Sequence, residues 1–460
     1  MINKNSLAFK QYTQLTDVYI KNLQMLDESQ QAAVYAPEDK VAISAPAGSG
    51  KTATLAVAIA NYRYENVNDR IYAVTFTNAA VQELQARLAE MGVKDVDIST
   101  IHSWCYRRIL TLAQKYEFTP IILYEDDVKQ ILSYICKDYE RTHKYKNINI
   151  SIVYNYVMGN LKQSAIAYDE RYRMMLGRLN DRYILYKNQN HLYDLTDFPR
   201  YLRDLLDQYH ETINDVDALF VDEFQDSDPC QIEIFNRIIN YRKKFYIGDT
   251  WQAIYGFRGA SSEAFTKIER GFRFYKLRYN YRSYQEIINY AVGFYKNAPI
   301  FDENHKNRRQ LYSITQRFNY LPTYKNPVAC VRGAGGLVIN VDGYGDIAWQ
   351  GSHDEAAKLN GCLEKDYQDL VHSFLEVYQP MILCRTNKQK NAIIDNLSYT
   401  NVSTIHGAKG LEYDDVLVID FPISDEESKN IAYVAITRAK NHLLTISWSL
   451  FTSAFNKVFF

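Results

Sequence analysis

The sequence has 460 residues, 47% hydrophobic and 23% charged, which is enough for two to four globular domains with a sizeable core. Its formal net charge of −1 excludes a general attraction to polyanions, so a surface that binds one must be a local basic patch. The six cysteines form no C-x-x-C pair, which argues against a zinc or iron–sulfur site and for a reducing compartment. Because no apolar run could span a membrane and the first residues lack the apolar core of a signal peptide, we expect a cytoplasmic protein.

Residues 1–25 are predicted to be a polar lead-in, and 26–34 a short helix with an acidic start. A glutamine amide donates and accepts together, which matches the N6/N7 edge of adenine. Gln30 stands just ahead of a phosphate-binding motif, so it is a candidate contact for a base. The 39 tyrosines of the chain suit a nucleic-acid surface, or they reflect genome base composition.

The run APAGSGKT at 45–52 has the spacing of a phosphate-binding loop, with Ala45 where the usual pattern has its first glycine. A short apolar strand at 41–44 precedes it and an Ala-rich helix over 51–64 follows it, which is the context the motif needs. The loop backbone and the helix N-terminus would hold phosphate. Lys51 would reach the β/γ phosphates and Thr52 would face Mg²⁺. The candidate nucleotide contacts here are Ala47, Gly48, Ser49, Gly50, Lys51 and Thr52.

Two further strands, at 70–76 and 96–99, are each followed by polar residues and a helix. Polar groups at the carboxyl end of a strand face the ligand edge of an α/β sheet. Phe76 could stack on a base there or be a core residue. His102 could serve a ligand, although a lone histidine is more often a structural hydrogen-bonder.

Residues 117–205 lose the strand pattern and are predicted to be a helical insertion. Its basic residues form either a nucleic-acid contact or an ordinary solvated surface; they are Lys162, Arg171, Arg173, Arg178, Arg182 and Lys187.

The sheet resumes at 218–221 and ends in adjacent acids, which is the second half of a nucleotide site. Asp222 would hold Mg²⁺ through water, and Glu223 would orient and deprotonate the attacking water. A strand at 245–247 leads to Gln252, a candidate sensor of the γ-phosphate. Tyr255 and Phe257 beside Arg258 suit a stacking platform with a phosphate contact.

An ordered set of motifs in this chain resembles the UvrD/Rep/PcrA-like family of superfamily 1 helicases. It spans residues 26–439 and consists of LDESQQAAV, APAGSGKT, AVTFTNAAVQEL, STIHS, VDEFQDS, GDTWQAIYGFRGA, LRYNYRS, PMILCRTN, TIHGAKGLEY and AYVAITRA.

The resemblance implies two RecA-like domains with ATP and Mg²⁺ in the cleft between them. Arg282 and Arg438 would act as arginine fingers from the second domain, since the guanidinium fork matches phosphate geometry. Tyr281 would stack on adenine, and Glu412 would accept from the ribose hydroxyl. A single-stranded track would be lined by Phe76, Asn78, His102, Tyr255, Phe257, Arg258 and His406.

The chain departs from the family pattern in several places. Ala79 stands where a lysine usually follows the Asn of TFTN, and this removes one backbone-phosphate contact. Thr250 and Trp251 replace an acidic run. Phe257 stands where the family usually has a stacking tryptophan. Only about fifty residues separate Ser283 from the strand predicted at 336–341, so the mobile 2B subdomain is expected to be reduced or absent. We expect no nuclease domain.

The resemblance gives an α/β fold with parallel sheets and these domains: 1A over 1–102 and 206–277, a helical 1B insertion over 103–205, and 2A over 278–460, with 297–335 as a reduced 2B-like insertion. The function it implies is an ATP-dependent, 3′-to-5′ translocase or helicase on single-stranded DNA or a 3′-tailed duplex. One alternative is a DNA-stimulated ATPase subunit that works with a nuclease or repair partner, similar to the helicase subunit of Gabija-type anti-phage systems. Another is an RNA remodeller.

Overall fold

The computed structural model describes residues 17–143, 145–158, 170–254, 264–297, 329–342, 345–359, 361–364, 366–419 and 426–455. The strands are β1 (Lys40–Ser44), β2 (Ile71–Thr75), β3 (Val96–Thr100), β4 (Ile122–Leu123), β5 (Tyr193–Asp194), β6 (Ala218–Val221), β7 (Lys243–Gly248), β8 (Arg273–Lys276), β9 (Tyr279–Asn280), β10 (Ala329–Cys330), β11 (Leu337–Val341), β12 (Ile347–Gly351), β13 (Met381–Cys384), β14 (Val402–Thr404), β15 (Tyr413–Ile419) and β16 (Ala439–Ile446). The helices are α1 (Asp17–Met25), α2 (Glu28–Val34), α3 (Lys51–Glu65), α4 (Asn78–Glu90), α5 (Ile101–Lys115), α6 (Glu125–His143), α7 (Ile150–Val157), α8 (Glu170–Asn190), α9 (Phe198–Gln208), α10 (Pro229–Asn236), α11 (Gln285–Asn297), α12 (His353–Ala357), α13 (Tyr367–Tyr378), α14 (Asn387–Leu397), α15 (Glu426–Ile436) and α16 (Trp448–Ser453).

The first lobe is built on a six-stranded parallel sheet with the order β3-β2-β6-β7-β1-β8. Its inner strands are buried on both faces because side chains alternate along a strand and helices cover both sides. In β6, Phe220 joins the core under α1 to α4, whereas Leu219 and Val221 join the core under α5, α9 and α10. The carboxyl ends of all six strands therefore lie at one edge, where the predicted nucleotide motifs begin.

The second lobe is built on another six-stranded sheet, with the order β12-β11-β16-β15-β13-β14. Its pairs are parallel except β11 with β12. Ala47 and Ile254 of the first lobe belong to the same hydrophobic core as Val338 and Val416 of this sheet, so the two lobes pack on each other. The predicted fold class, α/β with parallel sheets and a helical insertion in the first half, is confirmed.

The helical insertion has its own core under α6, α7 and α8, and a two-stranded sheet, β4 with β5, that the sequence did not predict. Lys187, expected on the basic face of the insertion, does not lie on the surface: it is 4% exposed and pairs with Asp194 at 2.7 Å and Asp197 at 2.5 Å. Arg182 pairs with Asp138 at 3.0 Å, whereas Arg178 is exposed. The neighbouring Lys162 and the side chain of Arg173 lie outside the described part of the chain.

The expected polar lead-in is corrected at its second half, because residues 17–25 form helix α1. Tyr19 is 2% exposed, donates to Asn61 Oδ1 at 3.1 Å and packs on the ring of Tyr64 with 4.8 Å between centroids. The helix thus covers α3, the helix that follows the phosphate-binding loop.

The proposed domain limits stay a prediction, and residues 298–328 of the expected 2B-like insertion lie outside the described residues. Helices α5 and α9 fall at the ends of the proposed insertion and pack on the first sheet. Within the described residues, no helix is long and apolar enough to cross a membrane.

Substitution of Lys187 by methionine should destabilise the insertion. It leaves Asp194, which is 0% exposed, without its cationic partner, and breaking such a buried pair costs about 3–5 kcal/mol. Urea denaturation measures the loss. Arg178→Met on the same helix is the matched control and should stay within about 0.5 kcal/mol of the wild type; equal losses in the two variants would contradict the burial argument.

Candidate active site

The loop between β1 and α3 has the backbone that the phosphate-binding motif requires. Gly48 has φ +71° and Gly50 has φ +76°, both in the left-handed region that favours glycine. Gly50 is the residue directly before α3, and Ser49 N–H donates to Pro46 O at 3.1 Å. The first turn of α3, with Lys51 and the half-buried Thr52, therefore opens at the loop, and its N–H groups face a site suited to an anion.

A segment that leads into the second lobe lies directly on this loop. Asn280 Nδ2 donates to Ala47 O at 2.6 Å, and Tyr281 N–H donates to Gly48 O at 2.8 Å. A Cβ atom at Gly48 would lie 2.4 Å from Asn280 Nδ2 and 2.8 Å from Arg282 Cβ. The loop therefore accepts only glycine at this position, because of the neighbouring segment as well as its own backbone.

The acids that follow β6 lie next to the loop lysine. Lys51 Nζ lies 3.2 Å from Glu223 Oε2, which also accepts from Gln225 Nε2 at 2.6 Å. Burial would raise the pKa of Glu223, but the ammonium groups of Lys51 and Lys409 hold it down at about 2. Burial and the Glu223 charge raise the pKa of Asp222 to about 7. The two adjacent carboxyl groups are therefore electrostatically distinct.

Gln252 connects the two lobes. Its Nε2 donates to Asp249 Oδ2 at 2.7 Å, and its Oε1 accepts from Arg438 Nη2 at 3.2 Å. Arg438 is 1% exposed and also donates to the carbonyls of Val434 and Leu411, each at 3.0 Å. Burial and the nearby Arg282 charge lower the pKa of Arg438 to about 9.

Arg282 and Glu412, which the sequence assigned to the γ-phosphate and the ribose, bind each other in this structure. Arg282 Nε donates to Glu412 Oε2 at 2.7 Å, and Arg282 Nη1 donates to Thr437 O at 3.2 Å. Lys440 Nζ lies 3.0 Å from the other oxygen of Glu412. Burial alone would raise the pKa of Glu412, but its contacts with Lys440 and Arg282 lower the pKa below its usual value.

Sequence reasoning missed Lys409 as a site residue. Its ammonium pairs with Asp226 Oδ2 at 2.5 Å and donates to Gln252 O at 2.8 Å, in a buried junction between the lobes. Burial raises the pKa of Asp226 to about 6, although Lys409 opposes this. Lys409 lies between His406 and Glu412 in the motif TIHGAKGLEY. A lysine between two candidate site residues was the feature of the sequence that could have identified it.

Gln30 and Tyr281, the candidate base contacts, are both hydrogen-bonded to Asp27. Gln30 is 4% exposed, and its Nε2 donates to Ser49 O of the loop at 3.0 Å. The Tyr281 ring is 38% exposed and its hydroxyl donates to Asp27 Oδ2 at 2.5 Å.

The residues assigned to a single-stranded track follow the carboxyl ends of strands. Half-buried Phe76 and exposed Asn78 follow β2, His102 follows β3, and His406 follows β14 of the second sheet. Thr75 of β2 pairs with Thr100 of β3, so the residues that follow β2 and the residue that follows β3 lie at the same edge of the sheet. Tyr255, Phe257 and Arg258 lie outside the described residues.

Thr52 and Asp222 offer hydroxyl and carboxylate oxygens, the ligand type that Mg²⁺ prefers. Asp222 is 3% exposed and its Oδ1 accepts from Glu223 N–H at 2.9 Å. Across the described part of the chain, no cluster of three His, Cys, Asp or Glu side chains could hold a metal. The donor set thus fits a magnesium ion that arrives with nucleotide phosphates, the usual mode for this ion.

Two family models match this chain. The UvrD/REP helicase N-terminal domain matches residues 26–273, and the UvrD-like helicase C-terminal domain matches residues 364–450. The chain belongs to the UvrD/Rep helicase family. The predicted resemblance is therefore confirmed, and the two matched segments contain β1 to β7 and β13 to β16.

Several named proteins are similar to this UvrD/Rep family member. A probable DNA helicase II homolog of Mycoplasma capricolum is 32% identical over 302 residues, which cover 60% of this chain and 41% of that protein. A probable DNA helicase of Mycoplasma pneumoniae is 26% identical over 93% of this chain and 84% of its own length. The ATP-dependent DNA helicase PcrA of Leuconostoc citreum is 25% identical over 86% of this chain and 51% of its own length. The chain thus spans less than half of the first protein and about half of the third.

Substitution of Asp222 by asparagine should stabilise the protein most at high pH. A carboxyl group whose pKa is raised on folding, here to about 7, contributes stability that is full below the unfolded pKa and is lost as pH rises through the folded value. The advantage of D222N should grow between about pH 4 and 7, by at most about 1.4 kcal/mol per pH unit. Thermal unfolding in metal-free buffers across this range measures it. An advantage that does not change with pH would contradict the raised pKa.

Proposed function

We propose that this protein is an ATP-dependent motor on single-stranded DNA that hydrolyses ATP between its two lobes. One observation carries the proposal: side chains from both lobes converge on the same phosphate-binding loop. Lys51 and Glu223 come from the first lobe, Arg438 donates to Gln252 and lies within electrostatic reach of Glu223, and Arg282 lies against Gly48. A nucleotide held there would contact both lobes at once.

The charges support a defined order of events at Glu223. A bound triphosphate competes for the Lys51 ammonium, which holds the pKa of Glu223 near 2 together with Lys409. When Lys51 moves toward the phosphates, the basicity of Glu223 rises and the carboxylate can take a proton from the attacking water. Gln225, which donates to Glu223 at 2.6 Å, keeps the carboxylate oriented. Mg²⁺ at Thr52 and Asp222 would neutralise charge on the phosphate oxygens.

Arg282 and Arg438 would stabilise the charge that develops on the transferred phosphoryl group. An arginine finger is worth about 10³–10⁵ in rate in other nucleotide hydrolases. Arg438 is already held by two backbone carbonyls and Gln252, so little reorganisation is needed when the substrate arrives. Arg282 would have to exchange Glu412 for phosphate, which makes Oε2 of Glu412 available to the ribose while Lys440 stays on Oε1.

Movement along DNA would follow from changes at the junction of the lobes. Phe76, Asn78 and His102 on the first lobe and His406 on the second are the proposed track, with Tyr255, Phe257 and Arg258 as predicted members. Stacking of about 1–3 kcal/mol per base gives grip without sequence preference. The 3′-to-5′ direction is proposed from the family resemblance, and the relative from Leuconostoc citreum is named an ATP-dependent DNA helicase.

The main alternative is an ATPase subunit that is stimulated by DNA but unwinds only with a nuclease or repair partner. That reading and the likeness to Gabija-type subunits stay predictions. A strand-displacement assay on a 3′-tailed duplex discriminates the two. Unwinding by the isolated chain supports a self-sufficient helicase, whereas stimulated ATP hydrolysis without unwinding supports the subunit. Competition between single-stranded DNA and RNA for ATPase stimulation tests the RNA alternative.

Substitution of Lys51 by alanine should reduce ATP turnover by about 10²-fold or more, because it removes a cation aimed at the transition-state charge. Binding of a single-stranded oligonucleotide should remain measurable. The assay is steady-state ATP hydrolysis with and without the oligonucleotide at two stated salt concentrations, since phosphate contacts weaken with salt. Native turnover in K51A would overturn the assignment of the site.

Substitution of Arg438 by lysine should lower kcat far more than it raises KM for ATP. Lysine retains a positive charge but loses the guanidinium fork, which at this site contacts two backbone carbonyls and Gln252 together. Lys429 of α15, the helix that ends two residues before Arg438, provides a control: Lys429→Arg changes a buried cation outside the proposed machinery. A fall in kcat of similar size in both variants would argue for a general packing defect.

A further inference from the structure

The carboxylate of Asp27 binds both the first turn of α2 and the Tyr281 side chain, which lie beside the proposed base position. Its Oδ1 accepts from Ser29 N–H at 2.6 Å and Gln30 N–H at 3.0 Å, which caps the first turn of α2. Its Oδ2 accepts from the Tyr281 hydroxyl at 2.5 Å. One carboxylate therefore satisfies the helix and the ring with different oxygen atoms.

The Tyr281 hydroxyl bond restrains a ring that is otherwise open. Tyr281 is 38% exposed, and its N–H is tied to Gly48 O at 2.8 Å, which fixes the backbone but not the ring. The bond to Asp27 at the far end of the side chain limits rotation about both side-chain torsions. A ring held at its backbone and its tip offers a base a surface whose orientation is set before the base arrives.

The backbone of Asp27 also sets the orientation of the Gln30 amide. Asp27 N–H donates to Gln30 Oε1 at 3.0 Å, while Gln30 Nε2 donates to Ser49 O at 3.0 Å. Because these two bonds distinguish the oxygen from the nitrogen, the amide cannot flip without losing both. The second N–H and the second lone pair of this amide keep fixed directions, which is the condition for distinguishing adenine from guanine.

We propose that Asp27 is a positioning residue for the purine of the bound nucleotide, acting through Tyr281 by its side chain and through Gln30 by its backbone. The proposal rests on the proposed ATP site and deepens it. It assigns Asp27 to the position of the purine rather than to the binding of the phosphates. Its side chain would lower KM for ATP by holding the stacking ring, and it would not touch the γ-phosphate.

A neighbouring contact of the same chemical kind provides a matched control. Tyr279 OH donates to Glu28 Oε1 at 2.9 Å. Glu28 directly follows Asp27 in the chain, and Tyr279 lies two residues before Tyr281. Tyr279→Phe removes a tyrosine-to-carboxylate bond that joins the same two segments, away from the ring that would stack. It therefore reports what loosening these segments does by itself.

The experiment compares Tyr281→Phe, Asp27→Ser, the double variant and Tyr279→Phe in the full-length protein. Serine is as good a helix cap as aspartate but is too short to reach Tyr281, so it preserves the helix and removes the contact. ATP hydrolysis is measured at saturating single-stranded DNA over a range of ATP and of GTP concentrations, and thermal unfolding is recorded for each variant.

We expect Tyr281→Phe and Asp27→Ser each to raise KM for ATP about five- to tenfold, the effect of losing one hydrogen bond of typical net strength. Their kcat should stay within about twofold, and the double variant should be no worse than either single one because both remove the same bond. Tyr279→Phe should leave KM unchanged. The KM for GTP should rise by a similar factor, because both purines would stack on Tyr281 and neither substitution removes the Asp27 N–H bond that orients the Gln30 amide.

Three results would overturn the proposal: an unchanged KM for ATP in both single variants, additive effects in the double variant, or an equal rise in Tyr279→Phe. A loss that follows only the thermal midpoint would likewise assign Asp27 a purely structural role. These outcomes leave the wild-type activity intact. If the wild type itself shows no DNA-stimulated ATP hydrolysis, the proposed function fails instead.

Discussion

Contact between the phosphate-binding loop and the segment at 280–282 is the constraint on which the rest of the site depends. The loop carbonyls of Ala47 and Gly48 are satisfied by Asn280 and Tyr281, and the space beside Gly48 is filled by Asn280 and Arg282. The segment leading to the second lobe therefore stabilises this conformation of the loop. This couples two parts of the chain that are more than 200 residues apart, without any ligand.

A second contact between the lobes contains buried charge. Asp226 and Lys409 form an ion pair with side chains 1% and 7% exposed, and Asn430 Nδ2 donates to Ala253 O at 2.7 Å. Removing one partner of such a pair leaves an uncompensated buried charge, so the lobes cannot separate here at low cost unless water or DNA replaces the partner. The polar junction thus favours a small number of defined lobe arrangements over a continuous range.

The sequence predicted the parts of this protein that depend on local pattern. Glycine spacing, strand-end acids and arginines in ordered motifs located the loop, Asp222 with Glu223, and Arg438, and the structure brings these elements to one place. The sequence could not predict that the Lys187 side chain is buried, because helical spacing does not show which carboxylates lie opposite it. Helix α1 was missed because its buried residues, Tyr19 and Leu23, give too weak an apolar stripe in a polar stretch. Many tyrosines likewise serve packing, as in the stacked pair Tyr193 and Tyr201 with 3.9 Å between centroids.

The electrostatics of the site explain why one ligand would satisfy both lobes. On the first-lobe side, burial and Glu223 raise the pKa of Asp222 to about 7, so that carboxyl group gains from a nearby cation. On the second-lobe side, burial and Arg282 lower the pKa of Arg438 to about 9, so that guanidinium gains from a nearby anion. A magnesium–triphosphate complex presents both charges in a fixed order. Its cation would relieve Asp222 and its terminal phosphate would relieve Arg438, whereas a free metal ion or a simple anion could supply only one of these two gains.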